Sequence, residues 1–453
     1  MQPATRNGNI KSVIIVVSGN FIEMFDFFLF GLYAYHIAAT FFPAKDELAS
    51  LLSAFVAFGA GFLMRPLGAI ILGAYVDTVG RRKGLFVTLG LMATGTMLIA
   101  LVPGYAQIGL LAPVLVVLGR LLQGFSAGAE LGGVSVYLSE IAAPDKKGFM
   151  VSWQSASQQV AIIFAAGLGF ALDRFMSSHD IAAWGWRIPF ALGCALIPFL
   201  LYIRGTLAET PEFLARERHP KFSAVLASMV ENWRLVFGGA MLVAMTTVSF
   251  YLITVYTPTY GKSVLKLSEA DSLVVTVCVG LSNFIWLPLI GTLSDRIGRR
   301  PILIFYSLLT IMTAYPALTW LSHDPSFSKM LMVELWLSFL YAGYNGALVV
   351  SLTEIMPKDF RTTGFSLSYS LATAIFGGFT AAISTWLIQT THNKAAPGLW
   401  MTSAAACALL AVVLMRKSFK AAQSREGRAQ SAAPDQAARS LLAQNASTPG
   451  PHG

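Results

Sequence analysis

Five ionisable side chains sit where the surrounding apolar sequence should exclude them. Glu23 and Asp26 lie three to four helical turns beyond Lys11, and Arg65 lies a little over three turns before Asp77. Arg120 is three turns into an apolar stretch, and Glu130 is nearly three turns before Glu140. At about 1.5 Å per helical residue, each falls roughly 15–22 Å from the nearest polar segment, close to the middle of a bilayer. An Arg or Asp at that depth costs about 2.5–3.5 kcal/mol to insert, so such residues are functional by default. A guanidinium is planar and always charged, which suits it to bidentate capture of carboxylates better than a lysine ammonium. A carboxyl at the same depth can exchange a proton, because burial favours its neutral form and a nearby guanidinium its charged form.

Helical phase groups these residues. Arg120 and Gln123 are three apart and Gln123 and Glu130 seven, so the pairs share one side of a helix. Asn20, Glu23 and Asp26 step at three, and Gln154 and Gln158 are four apart. The expected anion site is therefore Arg65 and Arg120, with Asn20, Gln123, Gln158 and Gln159 supplying neutral hydrogen bonds. Glu130, Asp26 and Glu23, in that order, are the expected proton carriers. The second half offers polar rather than charged positions, Tyr251, Tyr256, Asn283, Tyr341, Tyr344 and Asn345, which could close a cavity. Glu334, close in sequence to Lys329, reads as a solvated residue near the outer interface. Gly124, Gly128 and Gly132 repeat at four, a stripe that lets a second helix approach closely.

Helices must carry all of this through a membrane. Of 453 residues 55% are hydrophobic and only 12% charged, about half the charge of a soluble domain. That composition excludes a water-soluble enzyme. Twelve apolar crossings can be read, at roughly 12–40, 48–76, 84–103, 109–139, 149–172, 187–204, 235–257, 271–292, 302–320, 330–352, 363–388 and 398–415. With the N-terminus inside, 23 of the 32 Lys and Arg fall in inner segments and seven in outer loops, the asymmetry that orients membrane proteins. Both termini are expected to be cytoplasmic. The polar start, Met1 to Lys11, leads into no cleavage pattern and reads as a cytoplasmic start rather than a removable signal peptide. The expected organisation is a six-helix bundle over 1–204, a charged cytoplasmic linker over 205–233, a second bundle over 234–416, and a disordered cytoplasmic tail over 417–453.

The two bundles repeat. Gly73-Ala-Tyr-Val-Asp77-Thr-Val-Gly80-Arg81-Arg82 recurs in the second half as Gly291-Thr-Leu-Ser-Asp295-Arg296-Ile-Gly298-Arg299-Arg300. Tyr137-Leu-Ser-Glu140-Ile141 recurs at nearly the same offset as Ser351-Leu-Thr-Glu354-Ile355. Glycines in such a loop allow a tight turn and close helix approach, while Asp and Arg can pair across helices. Gly73, Asp77, Arg81, Asp295 and Arg299 are therefore expected to serve gating rather than substrate contact. Thr78 stands where the second copy has Arg296, so the first loop makes its pairing differently.

This loop is similar to the signature loop of the major facilitator superfamily. The chain further resembles the metabolite:proton symporter branch in Gly19-Asn20-x-x-Glu23-x-x-Asp26-Phe27, Phe62-Leu-x-Arg65-Pro66-x-Gly68 and Arg120-x-x-Gln123-Gly124-Phe125-Ser126-x-Gly128-x-Glu130. Trp186-Arg187-Ile188-Pro189-Phe190 and Ser152-Trp153-Gln154-Ser155-Ala156-Ser157-Gln158-Gln159 extend the likeness, which covers about residues 12 to 415. The resemblance implies an all-α membrane protein with twelve transmembrane helices in two six-helix pseudo-symmetric bundles, the major facilitator fold. It implies import of citrate by proton symport through alternating access, in a bacterial inner membrane, by a monomer. Tricarballylate or another small di- or tricarboxylate is the alternative substrate. A carboxylate sensor that keeps the carrier fold without transporting is the alternative class.

Other chemistries lack their parts. Cys194, Cys278 and Cys407 lie far apart in apolar runs, with neither metal-ligand spacing nor a disulfide framework. Gly124-Phe-Ser126-Ala-Gly128 fits the hydrolase nucleophile motif, but that motif needs a strand-to-helix turn and a histidine partner, and no crossing core contains His. No phosphate-binding G-x-x-x-x-G-K-[ST] loop occurs, so this chain is not expected to be an ATP-driven pump. The basic excess, a net charge of +9, is parcelled into short loops rather than a nucleic-acid-binding face. No cofactor and no metal are expected.

Overall fold

The computed structural model describes residues 21, 24–79, 81–128, 131–205, 231–357, 361–422 and 424; at 73–74, 76–79, 81–85, 131–133, 197 and 199–205 the backbone alone is described. Helices dominate, and no strand occurs among the described residues. Helix α1 comprises Met24–Leu32 and Ala34–Phe41, which meet at a 66° bend. Next come α2 (Glu47–Val79), α3 (Arg81–Leu101), and α4 in two described pieces, Leu111–Ala127 and Leu131–Ile141. The first half ends with α5 (Lys147–Phe175) and α6 (Ile188–Gly205). The second half holds α7 (Trp233–Val264), α8 (Glu269–Ile297), α9 (Arg299–His323), α10 (Phe327–Ile355), α11 (Arg361–Thr391) and α12 (Pro397–Leu414). Eight of these are long and apolar enough to cross a bilayer alone, or nine with the bent α1; Phe86–Leu101 and Leu111–Ala127 are shorter apolar helices.

The repeat read from the sequence organises the packing. Shifting by about half the chain carries α2 onto α8 and α5 onto α11. Correspondingly, α5 packs along α8 and α2 packs against α11, the two seams between the halves. Within the first half, α2 and α4 approach backbone to backbone. A Cβ on Gly124 would lie 1.7 Å from the Gly61 carbonyl oxygen, and one on Gly128 would lie 2.1 Å from that of Arg65. The small-residue stripe thus works as its spacing suggests, and it fixes Arg65 beside Arg120.

Helices α7 and α11 depart from ideal geometry. Tyr251–Tyr256, Tyr260–Val264 and Thr373–Gly377 are π-helical. Such segments insert an extra residue per turn and leave carbonyls short of their usual donors. Threonine hydroxyls fill that gap: Thr257 donates to the Ile253 carbonyl at 2.8 Å, and Thr373 to those of Tyr369 and Ser370 at 3.0 Å. In a medium without water, this internal satisfaction is what makes the irregularity tolerable.

Both ends of the molecule are closed. At the end that carries the repeated loops, called here the signature end, Asp295 reaches from α8 into the other half. Its carboxylate accepts the Gly148 and Phe149 backbone N–H groups at 2.8 and 3.1 Å. These are first-turn amides of α5, otherwise without intrahelical acceptors. Arg299 clamps the same carboxylate at 2.7 Å and donates to Glu354 at 2.9 Å. Gly148 admits this contact because a Cβ there would meet the Gly291 carbonyl oxygen at 2.3 Å. At the opposite end, His36 of α1 hydrogen-bonds Glu269 of α8 at 3.0 Å. Lys262 pairs with the other Glu269 oxygen and stands 3.6 Å above the Tyr35 ring. Between the two ends, Phe28, Phe58 and Phe62 of the first half interlock with Phe250 and Tyr251 of the second.

Several sequence expectations fall outside the described residues. These are the linker at 206–230, the tail beyond 424, and the side chains of Asp77 and Arg81 with the surroundings of Gly73. Residues 417–422, the start of the expected disordered tail, are helical, with Phe419 and Ala422 buried three residues apart.

The signature-end latch makes a testable demand. In a carrier with its three cysteines replaced by serine, Gly148→Val should hold the α5–α8 seam apart. A buried Ser152→Cys reporter at that seam should then react several-fold faster with a membrane-impermeant thiol reagent from the signature side. Equal labelling rates with and without the Gly148→Val substitution would contradict the backbone contact described.

Candidate functional site

The two seams and the aromatic interlock enclose a small cavity lined by Arg65 and Phe28 of the first half, Gln158 of α5, Thr247 and Tyr251 of α7, and Tyr369 and Thr373 of α11. Its volume is about 20 Å³, room for a water or two and far short of a tricarboxylate.

Arg65 and Arg120 are 2% and 0% exposed. Their guanidinium carbons lie 4.4 and 4.2 Å from the centroid of one ring, Phe27. Phe62 completes the surroundings of Arg65, and Phe30 and Phe58 those of Arg120. A desolvated cation–π contact contributes about 2 kcal/mol, comparable with the insertion cost of the charge. It satisfies no N–H donor. The Nε and Nη2 groups of both arginines are buried without a hydrogen-bond partner, and each such donor costs about 1–3 kcal/mol. Neither arginine forms an ion pair with a carboxylate among the described residues. Four guanidinium nitrogens on two like charges are thus left without an acceptor among the described residues.

The Arg120 side chain opens a chain of hydrogen bonds that crosses the first half. Its Nη1 donates to Gln123 Oε1 at 2.7 Å, Gln123 Nε2 donates to Thr96 Oγ1 at 2.8 Å, and Thr96 donates to Asp26 Oδ2 at 2.7 Å. Asp26 is 3% exposed and its Oδ1 has no partner. The arginine and the carboxyl therefore communicate through an amide and a hydroxyl rather than by contact. Thr96 was not singled out from the sequence, because a lone threonine in an apolar helix carries no signal of its own.

The expected site residues separate into three groups. Arg65 and Gln158 line the cavity, and Arg120, Gln123 and Asp26 form the chain behind it. Gln159, Tyr344 and Asn345 are buried but tie helices together. Gln159 accepts from Asn283 of α8 at 3.1 Å, Tyr344 donates to the Leu242 carbonyl at 2.8 Å, and Asn345 accepts from Thr246 at 3.3 Å. Asn20, Glu23 and Glu130 lie outside the described residues. Thr247, Tyr369 and Thr373 were missed. They line the cavity from α7 and α11, Thr247 and Tyr369 in regular α-helix just before the π-helical turns and Thr373 at the start of one. One expectation is overturned: Glu334 is 3% exposed rather than solvated. Lys329, which suggested an interfacial position, pairs instead with Asp324 at 2.7 Å.

Comparison with known proteins agrees with this architecture. The chain is 61% identical over 423 residues to a citrate-proton symporter of Klebsiella pneumoniae, covering 93% of this chain and 95% of that one. It is 58% identical over 414 residues to a citrate-proton symporter of Salmonella typhi, covering 91% and 95%. The crystal structure of a D-xylose-proton symporter superposes with a TM-score of 0.71 at 18% identity, over 90% of this chain and 97% of that one, a likeness of fold. The model of the Major Facilitator Superfamily matches residues 16–381. With its apolar helices, two related halves and a polar chamber between them, this multi-pass membrane protein belongs to the Major Facilitator Superfamily.

Proposed function

We propose that this chain imports citrate together with protons across the bacterial inner membrane by alternating access, with both termini cytoplasmic and residues 1–204 and 234–416 acting as the two moving bundles. The observation that carries the reading is the set of unpartnered N–H donors on Arg65 and Arg120. A planar carboxylate is the group that answers a guanidinium fork, and a substrate with several carboxylates can engage both arginines at once. Identity of 61% and 58% with two citrate-proton symporters supports citrate within that class.

Proton coupling follows from the hydrogen-bond chain. While the cavity is empty, Arg120 donates to Gln123, and through Thr96 this holds a donor against Asp26. A carboxylate at Arg120 competes with Gln123 for the guanidinium. Gln123 and Thr96 are then free to reorient, and Asp26 loses the donor that favours its charged form. Its remaining oxygen has no partner, so protonation accompanies arrival of the anion. No covalent step is needed, and the driving force is the proton gradient.

Three outcomes test the reading. In proteoliposomes with an imposed pH gradient, the wild-type carrier should accumulate labelled citrate, and collapsing the gradient should abolish accumulation; binding without flux would favour a sensor. Unlabelled tricarballylate, isocitrate and a dicarboxylate added as competitors rank the substrates. Arg65→Lys should raise the KM for citrate roughly ten- to a hundredfold, the equivalent of one charge-assisted hydrogen bond of about 1.5–3 kcal/mol, and an unchanged KM would remove Arg65 from the site. Asp26→Asn should retain citrate counterflow while losing gradient-driven accumulation, whereas normal accumulation would shift coupling to another carboxyl.

A further inference from the structure

Glu334 is a buried acid to which the transport cycle above gives no task. It stands on α10, two turns past the helix start at Phe327, about 10 Å along the axis. It is 3% exposed, and its Oε2 has no hydrogen-bond partner. At that end Lys262 pairs with Glu269 and Lys329 with Asp324, His36 hydrogen-bonds Glu269, and among the described residues no ion pair joins Lys266 or Lys394 to Glu334. The titratable group facing Glu334 from α7 is the neutral phenol of Tyr260, whose hydroxyl donates to the Lys394 carbonyl at 2.8 Å. From α8, Ser272 and, on α10 itself, Met330 close around neighbouring Gly261, contributing no charge. An unpaired carboxylate in such surroundings costs so much that the group takes up a proton instead.

Glu334 contacts Thr257, and the single hydroxyl proton of Thr257 is already directed at the backbone carbonyls of Ile253 and Leu252, at 2.8 and 3.3 Å. Thr257 lies between the two π-helical segments of α7, the part of that helix least committed to one geometry. It is under two turns, about 9 Å, from Tyr251 at the cavity.

We propose that Glu334 is a second proton-binding site of this carrier, seated in the second half and gated by the irregular part of α7. Water reaching the end opposite the signature loops supplies the proton to the carboxylate. The neutral acid is then sealed against Thr257 in the occluded conformation. When the signature end opens, α7 and α10 shift, and the proton leaves by way of the cavity beside Tyr251. Asp26 and Glu334 would each carry one proton, on opposite halves. The inference rests on the symport reading above and deepens it.

The experiment is the dependence of steady-state citrate accumulation on the pH gradient, in proteoliposomes with the membrane potential clamped at zero. Wild type and Glu334→Gln are compared at the same internal and external pH. Wild type failing to respond to the gradient defeats the symport reading itself. If wild type responds, Glu334→Gln should retain counterflow but accumulate about tenfold less citrate per unit of pH gradient, the effect of one proton. Glu334→Asp, which keeps the acid, should restore most of the slope. A Glu334→Gln slope equal to wild type overturns the proposal. A second measurement needs no variant: a carbodiimide selective for protonated carboxyls in apolar surroundings should modify Glu334 of the purified carrier, more at low pH than at high. Absence of that modification under conditions that label Asp26 would also overturn it.

Discussion

Two guanidinium groups against one phenyl ring, in a space from which water is nearly excluded, set the terms for the rest of the molecule. The arrangement is imposed from behind by glycine. The carbonyls of Gly61 and Arg65 lie where Cβ atoms on Gly124 and Gly128 would be, so α2 and α4 approach closely enough to set their arginines side by side. Phe27, Phe30, Phe58 and Phe62 soften the cost but cannot accept N–H hydrogen bonds. The strain is held in the first half, a rigid charged partner facing a more adaptable second half that contributes hydroxyls from π-helical α7 and α11. In the cycle proposed above, a bound polyanion would relieve that charge.

The two closures use different chemistry. At the signature end, a carboxylate of one half caps a helix of the other, and backbone amides and an arginine converge on Asp295. At the opposite end, side chains alone meet, His36 and Lys262 on Glu269. The backbone-based closure depends on helix register along α5 and α8, whereas the side-chain closure can re-form over a range of rotamers. Transport needs one closure broken while the other persists, and unlike chemistries allow the two to respond to different conditions.

Charge was the most legible feature of the sequence, and neutral polarity the least. Arg65, Arg120 and Asp26 stand out because an ionisable residue in an apolar run has few structural excuses, and all three are buried together in the first half. The repeat placed Asp295 and Arg299 at a junction between halves, as their loop spacing suggested. Thr247, Tyr369 and Thr373 gave no warning, since threonine and tyrosine in an apolar helix are ordinary packing residues. Tyr344, Asn345 and Gln159 were legible as buried and polar, but only their partners reveal that they join helices. Glu334 was misjudged because distance along the chain from Lys329 took no account of which way the helix turns its side chain.

The capping of α5 by Asp295 has a kinetic corollary. Parting the halves at that end strips two α5 amides of the Asp295 carboxylate in a single movement, while Arg299, on the same half as Asp295, stays paired with it, and nothing in a dry seam can replace the acceptor the amides lose. Hydration must therefore advance with the separating surfaces rather than follow it. The barrier to opening is then set by how readily a thin film of solvent enters the crevice beside Gly148, so that the smallest residue at the seam governs the pace of wetting.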